Sequence, residues 1–104
     1  RLDEAEAMAQ RVLQFVPDDA EALAGVAQLR VRADRPAEAL ALVERARRVE
    51  HATRALQLTR SEVLALRALG RLDDARAAAQ AGLARGESSP EVLRVLDELG
   101  PAPR

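Results

Sequence analysis

The chain has 104 residues, of which 48% are hydrophobic and 32% are charged, and its formal net charge is −1. This length suits one small domain, and this composition excludes both a disordered tail and a membrane-spanning chain. The near-neutral charge argues against a nucleic-acid partner. The lack of cysteine excludes disulfides and thiolate metal sites, and it leaves the cellular compartment open.

The residue usage favours helices throughout. Alanine and leucine dominate, and valine is nearly the only β-branched residue. We therefore expect an all-α domain. Arginine replaces lysine completely, a usage associated with GC-rich bacterial genomes.

Prolines and an acidic pattern divide the first half of the chain into three predicted helices. Pro17 stops the first helix, and Asp18-x-x-Glu21 has the pattern of a capping box at the start of the second. Pro36 suits the first turn of the third. The predicted ranges are about Leu2 to Val16, Ala20 to Ala33 and Pro36 to Glu50.

The second half contains three further predicted helices, after a weaker break at His51 to Thr53. Gly70 and Gly86 are predicted to follow the ends of the fourth and fifth helices. Ser89 is predicted to cap the sixth. The fourth helix is predicted to end at Leu69, the fifth to run from about Leu72 to Arg85, and the sixth to start at Pro90 and fade at Gly100. Short connections predict that each helix doubles back on the one before.

The chain also repeats itself. "LDEAEAMAQRVLQFVPDD" aligns with "PAEALALVERARRVEHAT" at an offset of 34 residues, and "LDDARAAAQAGLARGESS" follows at a further 36. The alignment places Ala5, Ala39 and Ala75 at one equivalent position. We expect all three to be buried where two helices approach closely, because a larger side chain would push the helices apart.

This pattern resembles the tetratricopeptide repeat, whose second helix reads A-x3-F…P and whose first helix reads W-x2-L-G-x2-Y. By the resemblance, Phe15 is an apolar plug between adjacent repeats, and Pro17 redirects the chain into the next one. The W, L, G and Y positions are taken by Leu23, Val26, Ala27 and Arg30, and in the next repeat by Thr59, Glu62, Val63 and Leu66. Arg30 departs from the aromatic signature.

The resemblance implies an α-solenoid of antiparallel helix pairs, with about six helices in a single domain over residues 1–104. Residues 1–19 would be the second helix of a truncated repeat, and residues 90–104 a terminal helix and tail. Residues 20–53 and 54–89 would be complete repeats. The alternative is an unrelated helical bundle.

Few residues suggest catalysis. His51 is the only histidine, and a general base or metal ligand would need converging partners. Ser89 is explained as a helix cap, and no Gly-rich loop precedes a helix to hold a phosphate. We therefore predict no enzymatic activity, no catalytic residues, no cofactor and no metal site.

The remaining function is binding. In tetratricopeptide-like stacks the first helix of each pair forms the concave face. By resemblance, the groove residues here would be Glu21, Ala24, Gln28, Arg32, Gln57, Arg60, Leu64 and Arg67. Three arginines against one glutamate favour an acidic peptide, although the arginines could equally be solvated surface. The family's lysine/asparagine clamp for a peptide carboxylate is absent.

We therefore predict a protein-interaction scaffold that binds a peptide or a partner helix. The alternative is a structural or self-assembly segment of a larger bacterial enzyme, regulator or secretion component. The first helix adds a prediction of its own. Its apolar stripe, formed by Leu2, Ala5, Ala9, Val12 and Val16, is predicted to pair two copies as a homodimer. The alternatives are that another part of a larger parent protein covers the stripe or that the helix frays.

Overall fold

The computed structural model describes residues 2–49, 55–87 and 89–100, and within them the side chains of residues 4–49, 58–87 and 89–100. These residues form six helices and no strand, which confirms the predicted all-α fold. His51 and the predicted break around it lie outside the described residues. The helices are α1 Leu2–Phe15, α2 Ala20–Arg32, α3 Pro36–Arg48, α4 Ala55–Ala68, α5 Leu72–Ala84 and α6 Pro90–Leu99.

The helix starts follow the local sequence closely, with one correction. Ser89 caps α6, its Oγ accepting from the backbone nitrogen of Val92 at 3.2 Å. The cap of α2 is Asp19, whose Oδ1 accepts from the Ala22 nitrogen at 2.8 Å. The prediction of Asp18 as the cap is wrong, because Asp18 still belongs to the preceding turn and Asp19 is the last residue before the helix.

Backbone conformation marks the ends of three helices. Gly70 follows α4 with φ +78° and Gly86 follows α5 with φ +83°, as predicted. Glycine adopts this left-handed conformation without a steric penalty. Asp34, after α2, also has a positive φ of +59°, a conformation that aspartate tolerates better than most residues.

Each helix packs against the next one in the chain, and the even-numbered helices also contact one another. In the described residues, α2 contacts α4, and α4 contacts α6. No contact joins the odd-numbered helices of this part of the chain to one another. The molecule extends 46 × 27 × 20 Å.

Small residues allow the helices to approach closely. Ala39 and Ala75 have no exposed surface and lie in one cluster with Leu66, as predicted for this alanine position. Ala5 is exposed, and the prediction for it is wrong. Its surroundings differ because α2 is the only described helix that α1 contacts, and Ala5 does not face it.

Phe15 is a second correction. Its side chain is 84% exposed and plugs no gap between repeats. Leu13 is the residue that packs against the first core cluster, around Leu23 and Val43. Because an α-helix turns about 100° per residue, Phe15 lies about 200° around α1 from Leu13 and faces away from α2.

Most positions predicted from the first-helix pattern are buried. Leu23, Val26 and Ala27 are at most 1% exposed in α2. In α4, Thr59, Val63 and Leu66 are also buried. Glu62, the remaining predicted position in α4, is only partly buried.

Arg30 occupies the place of the pattern's aromatic residue. Its side chain is only 12% exposed and forms salt bridges with Glu6 of α1 and with Glu38 of α3, the latter at 3.6 Å. A buried guanidinium is tolerated only when it is paired in this way. Arg30 thus joins three helices.

A buried threonine connects α4 with the turn before α6. Thr59 has no exposed surface; its Oγ1 donates to Glu87 Oε2 at 2.6 Å and accepts from Arg47 Nη2 at 3.2 Å. Arg85 Nη2 also lies 2.9 Å from Glu87 Oε2. The hydrogen bond from Arg85 lowers the pKa of Glu87, and the hydrogen bond from Thr59 lowers it further. Burial of the carboxylate raises this pKa, but the net shift is downward.

Arg76 holds the end of α6. The last carbonyls of a helix lack partners within the helix. Arg76 Nε donates to the Gly100 carbonyl at 3.1 Å, and Nη2 donates to the Leu99 carbonyl at 3.0 Å. Asp73 balances the charge of this buried arginine at 2.8 Å.

We expect Gly82→Ala to destabilise the fold by about 1–3 kcal/mol, because a Cβ there would lie only 2.6 Å from Thr59 Cγ2. The matched control is Gly25→Ala in α2, where nothing lies within 4 Å of the added Cβ. Better helix propensity is expected to stabilise that variant by up to about 1 kcal/mol. Urea unfolding followed by circular dichroism measures both changes, and equal effects at the two sites would contradict the packing at Gly82.

Glu87→Gln is expected to remove a pH-dependent part of the stability. Because the pKa of Glu87 is lowered in the folded state, its carboxylate stabilises the fold above the unfolded pKa, about 4.3, and this contribution is lost as the pH falls through the folded pKa. The free energy of unfolding of the native chain is therefore expected to exceed that of the variant near neutral pH, and the difference to vanish in acid. Glu44→Gln, at an exposed position of α3, is the control. A difference that stays constant from neutral to acid pH would refute the role of this carboxylate.

Candidate functional site

Four of the eight predicted groove residues meet in one surface cleft. The cleft has a volume of about 130 Å³ and lies where α2, α4 and α6 come together. Gln28 and Arg32 come from α2, and Arg60 and Leu64 come from α4. The even-numbered row of helices thus brings together residues that are 28 to 36 positions apart in the sequence.

Three other predicted residues, Ala24, Glu21 and Arg67, do not line this cleft. Ala24 is 1% exposed and packs in the core beside Leu58 of α4, so its inclusion in the groove is corrected: its small side chain has no surface to offer a ligand. Glu21 lies at the opposite end of α2, in a separate cavity beside Val12 of α1. The side chain of Gln57 lies outside the described residues.

Arg67 forms a salt bridge within the protein. Its Nη1 lies 2.9 Å from Glu98 Oε2 of α6. Both side chains are exposed, so the pair contributes little to stability. The charge of Arg67 is nevertheless balanced locally, and it contributes less to the field of the cleft than Arg32 or Arg60.

Arg32 and Arg60 are the available cations of the cleft. Arg32 is exposed and Arg60 is half-buried. Neither forms a salt bridge with another residue that the structure describes. Guanidinium groups in this state can bind a carboxylate, and do so best in a bidentate geometry.

Three further residues line the cleft that the sequence analysis did not select: Val31, Ser61 and Glu91. Val31 follows Gln28 by three positions, so helical spacing alone could have placed it on the same face. Glu91 is different, because it reaches the cleft only through the packing of α6 on α4.

Glu91 gives the cleft its negative edge. A hydrogen bond from its own backbone N–H, another with Ser89 and the charges of Arg60 and Arg94 lower the pKa of Glu91. The carboxylate therefore stays ionised and attracts Arg60, so the charge of Arg60 is partly balanced, although the two residues form no salt bridge. The cleft combines two available arginines, one carboxylate and the apolar side chains of Val31 and Leu64.

The size of the cleft restricts its ligand. Small-molecule sites usually enclose about 300–1,000 Å³, which is more than this cleft offers. A larger cavity of about 310 Å³ lies between α1, α2 and α3. Its Arg30 and Glu38 pair with each other, as described above. The smaller cleft suits surface contact with a few side chains of a peptide.

The described helices and side chains bear on metal binding and membrane insertion. In the described part of the chain, no group of three or more acidic or histidine side chains is arranged to hold a metal ion. None of the helices described here combines the length and the apolar character needed to cross a membrane.

Comparison of the chain with protein-family models, curated proteins and solved structures gave no match. The tetratricopeptide resemblance therefore stays a prediction that rests on the sequence pattern.

We expect Arg60→Ala to raise the pKa of Glu91 while leaving it below its usual value. The charge of Arg60 is one of the causes of the lowered pKa, but the backbone hydrogen bond and Ser89 remain. NMR titration of the Glu91 carboxyl carbon measures the change. Arg67→Ala removes the same charge from the same helix but faces Glu98, so it is expected to leave Glu91 unchanged. Equal shifts in the two variants would show that Arg60 does not face Glu91.

Proposed function

We propose that this chain is a protein-interaction module that binds an acidic peptide segment across the face formed by α2, α4 and α6. The observation that carries the proposal is that two arginines, Arg32 and Arg60, line one cleft together with the apolar side chains of Val31 and Leu64.

The order of helix contacts supports a repeat-type binding face. In tetratricopeptide-like stacks the first helices of successive pairs lie side by side on the concave surface. Here α2, α4 and α6 contact one another in that order, and α3 and α5 each contact the helices before and after them. The cleft lies on this row and not on the odd-numbered helices.

The charges support an acidic ligand. The whole chain has a net charge of −1, so a general attraction for anions is absent. The cleft itself has two arginines against Glu91, and the salt bridge with Glu98 occupies Arg67. A peptide carboxylate could pair with Arg32 or Arg60 while a neighbouring apolar side chain contacts Leu64.

A binding function also agrees with the chemistry of the cleft. Ser61, the hydroxyl side chain that lines the cleft, is buried, so a substrate would have little access to it. Nucleophilic catalysis by a serine needs an accessible hydroxyl with a base within hydrogen-bond reach. We therefore propose binding without a chemical step.

The proposal is tested by selecting peptides from a random-sequence display library and measuring their affinity by fluorescence anisotropy. We expect the selected peptides to be rich in aspartate and glutamate. Arg32→Ala with Arg60→Ala is expected to weaken binding about tenfold, or about 1.4 kcal/mol. The same double variant is expected to reduce the salt dependence, because ions screen paired charges.

The matched control is Arg48→Ala with Arg71→Ala, which removes two arginine charges from exposed positions on α3 and before α5. We expect it to leave the affinity unchanged within about twofold, since long-range charge effects are small at physiological salt. Selection of peptides without acidic enrichment, or equal losses in the two double variants, would contradict the proposed site.

A further inference from the structure

An apolar stripe runs along an exposed side of α1, and part of it borders a cavity at the start of α2. Its large side chains are strongly exposed: Met8 by 69%, Val12 by 42%, Phe15 by 84% and Val16 by 50%. These are four of the seven exposed large hydrophobic residues found among the described positions. Met8, Val12 and Phe15 follow one another at spacings of four and three residues, which places them on one side of the helix together with Ala5 and Ala9, and Val16 directly follows the end of the helix. We call this surface the α1 stripe.

Another side of α1 is attached to the domain. Leu13 packs against the first core cluster, and Glu6 forms a salt bridge with the nearly buried Arg30. These contacts determine the rotation of the helix about its axis. The α1 stripe is therefore a fixed surface, and soluble proteins rarely leave apolar surface of this kind uncovered.

We propose that a second copy of this chain covers the α1 stripe, with the two α1 helices antiparallel about a two-fold axis near Met8. This proposal does not depend on the peptide site, because the α1 stripe shares no residue with the cleft.

The order of side-chain sizes fits this arrangement. Ala5 lies about one helical turn before Met8, and Val12 lies about one turn after it. An antiparallel pair centred near Met8 therefore places Val12 of each copy opposite the small side chain of Ala5 in the other. Large side chains facing small ones allow two helices to pack closely.

Charge selects the antiparallel orientation. Glu4 and Arg11 are exposed and form no salt bridge with any other described residue. They are seven positions apart, so both lie on the same flank of the stripe, about 10 Å from each other along the helix. A perpendicular two-fold axis brings identical flanks together in reversed direction. Glu4 of each copy then faces Arg11 of the other, and two complementary pairs form.

A single pair of helices buries less area than a standard stable interface, so we expect reversible association. Sedimentation equilibrium from about 10 µM to about 1 mM tests it on the intact chain. The average mass is expected to rise from 11.2 kDa to twice that value. A monomer throughout this range would overturn the proposal.

Charge reversal tests the orientation. Glu4→Arg alone and Arg11→Glu alone are each expected to weaken association about fivefold or more, because each converts two attractive pairs into repulsive ones. The double reversal is expected to restore it to within about twofold. Arg48→Glu on α3 changes the net charge as Arg11→Glu does and is expected to have little effect.

Circular dichroism confirms that each variant is folded before its mass is interpreted. Failure of the double reversal to restore association would overturn the antiparallel arrangement. Masses that keep rising beyond a dimer would also overturn it, since they would indicate head-to-tail growth through another surface.

Discussion

The close approach of neighbouring helices is the constraint on which the rest of the structure depends. Ala39 and Ala75 have no exposed surface, and at Gly82 there is no room even for a methyl group beside Thr59. Larger side chains at these positions would separate the odd-numbered helices from the even-numbered ones. Because the cleft is assembled from three even-numbered helices, its arginines and apolar side chains are brought together only while this spacing is kept.

Polar contacts take the place of aromatic packing in this domain. The chain has one phenylalanine and neither tryptophan nor tyrosine, and the phenylalanine is exposed. Arg30 connects three helices through two glutamates, Thr59 connects α4 to Glu87, and Arg76 closes the end of α6. Such contacts depend on direction and on charge. They therefore specify how neighbouring helices align, in addition to holding them together.

The two surfaces available for partners differ in chemistry. The cleft between α2, α4 and α6 is polar, with arginines beside small apolar contacts. The α1 stripe is apolar, with opposite charges on one flank. In the two proposed interactions, charge complementarity would contribute mainly to specificity, whereas the area of apolar contact would contribute to affinity mainly at the α1 stripe. Because no residue belongs to both surfaces, substitutions can test the proposed peptide binding and the proposed self-association separately.

The sequence by itself determined the number of helices and nearly all their ends, because capping and chain reversal depend on residues within about one turn. Ser89 caps α6 as predicted, and the cap of α2 is Asp19, one residue after the predicted Asp18. Four of the eight groove residues that the resemblance implied line one cleft. Only the tertiary structure decided that Phe15 and Ala5 face outward and that Glu91 joins the cleft. The physical reason is that burial depends on which distant helix lies opposite a residue, and helical periodicity identifies an apolar face without identifying its partner.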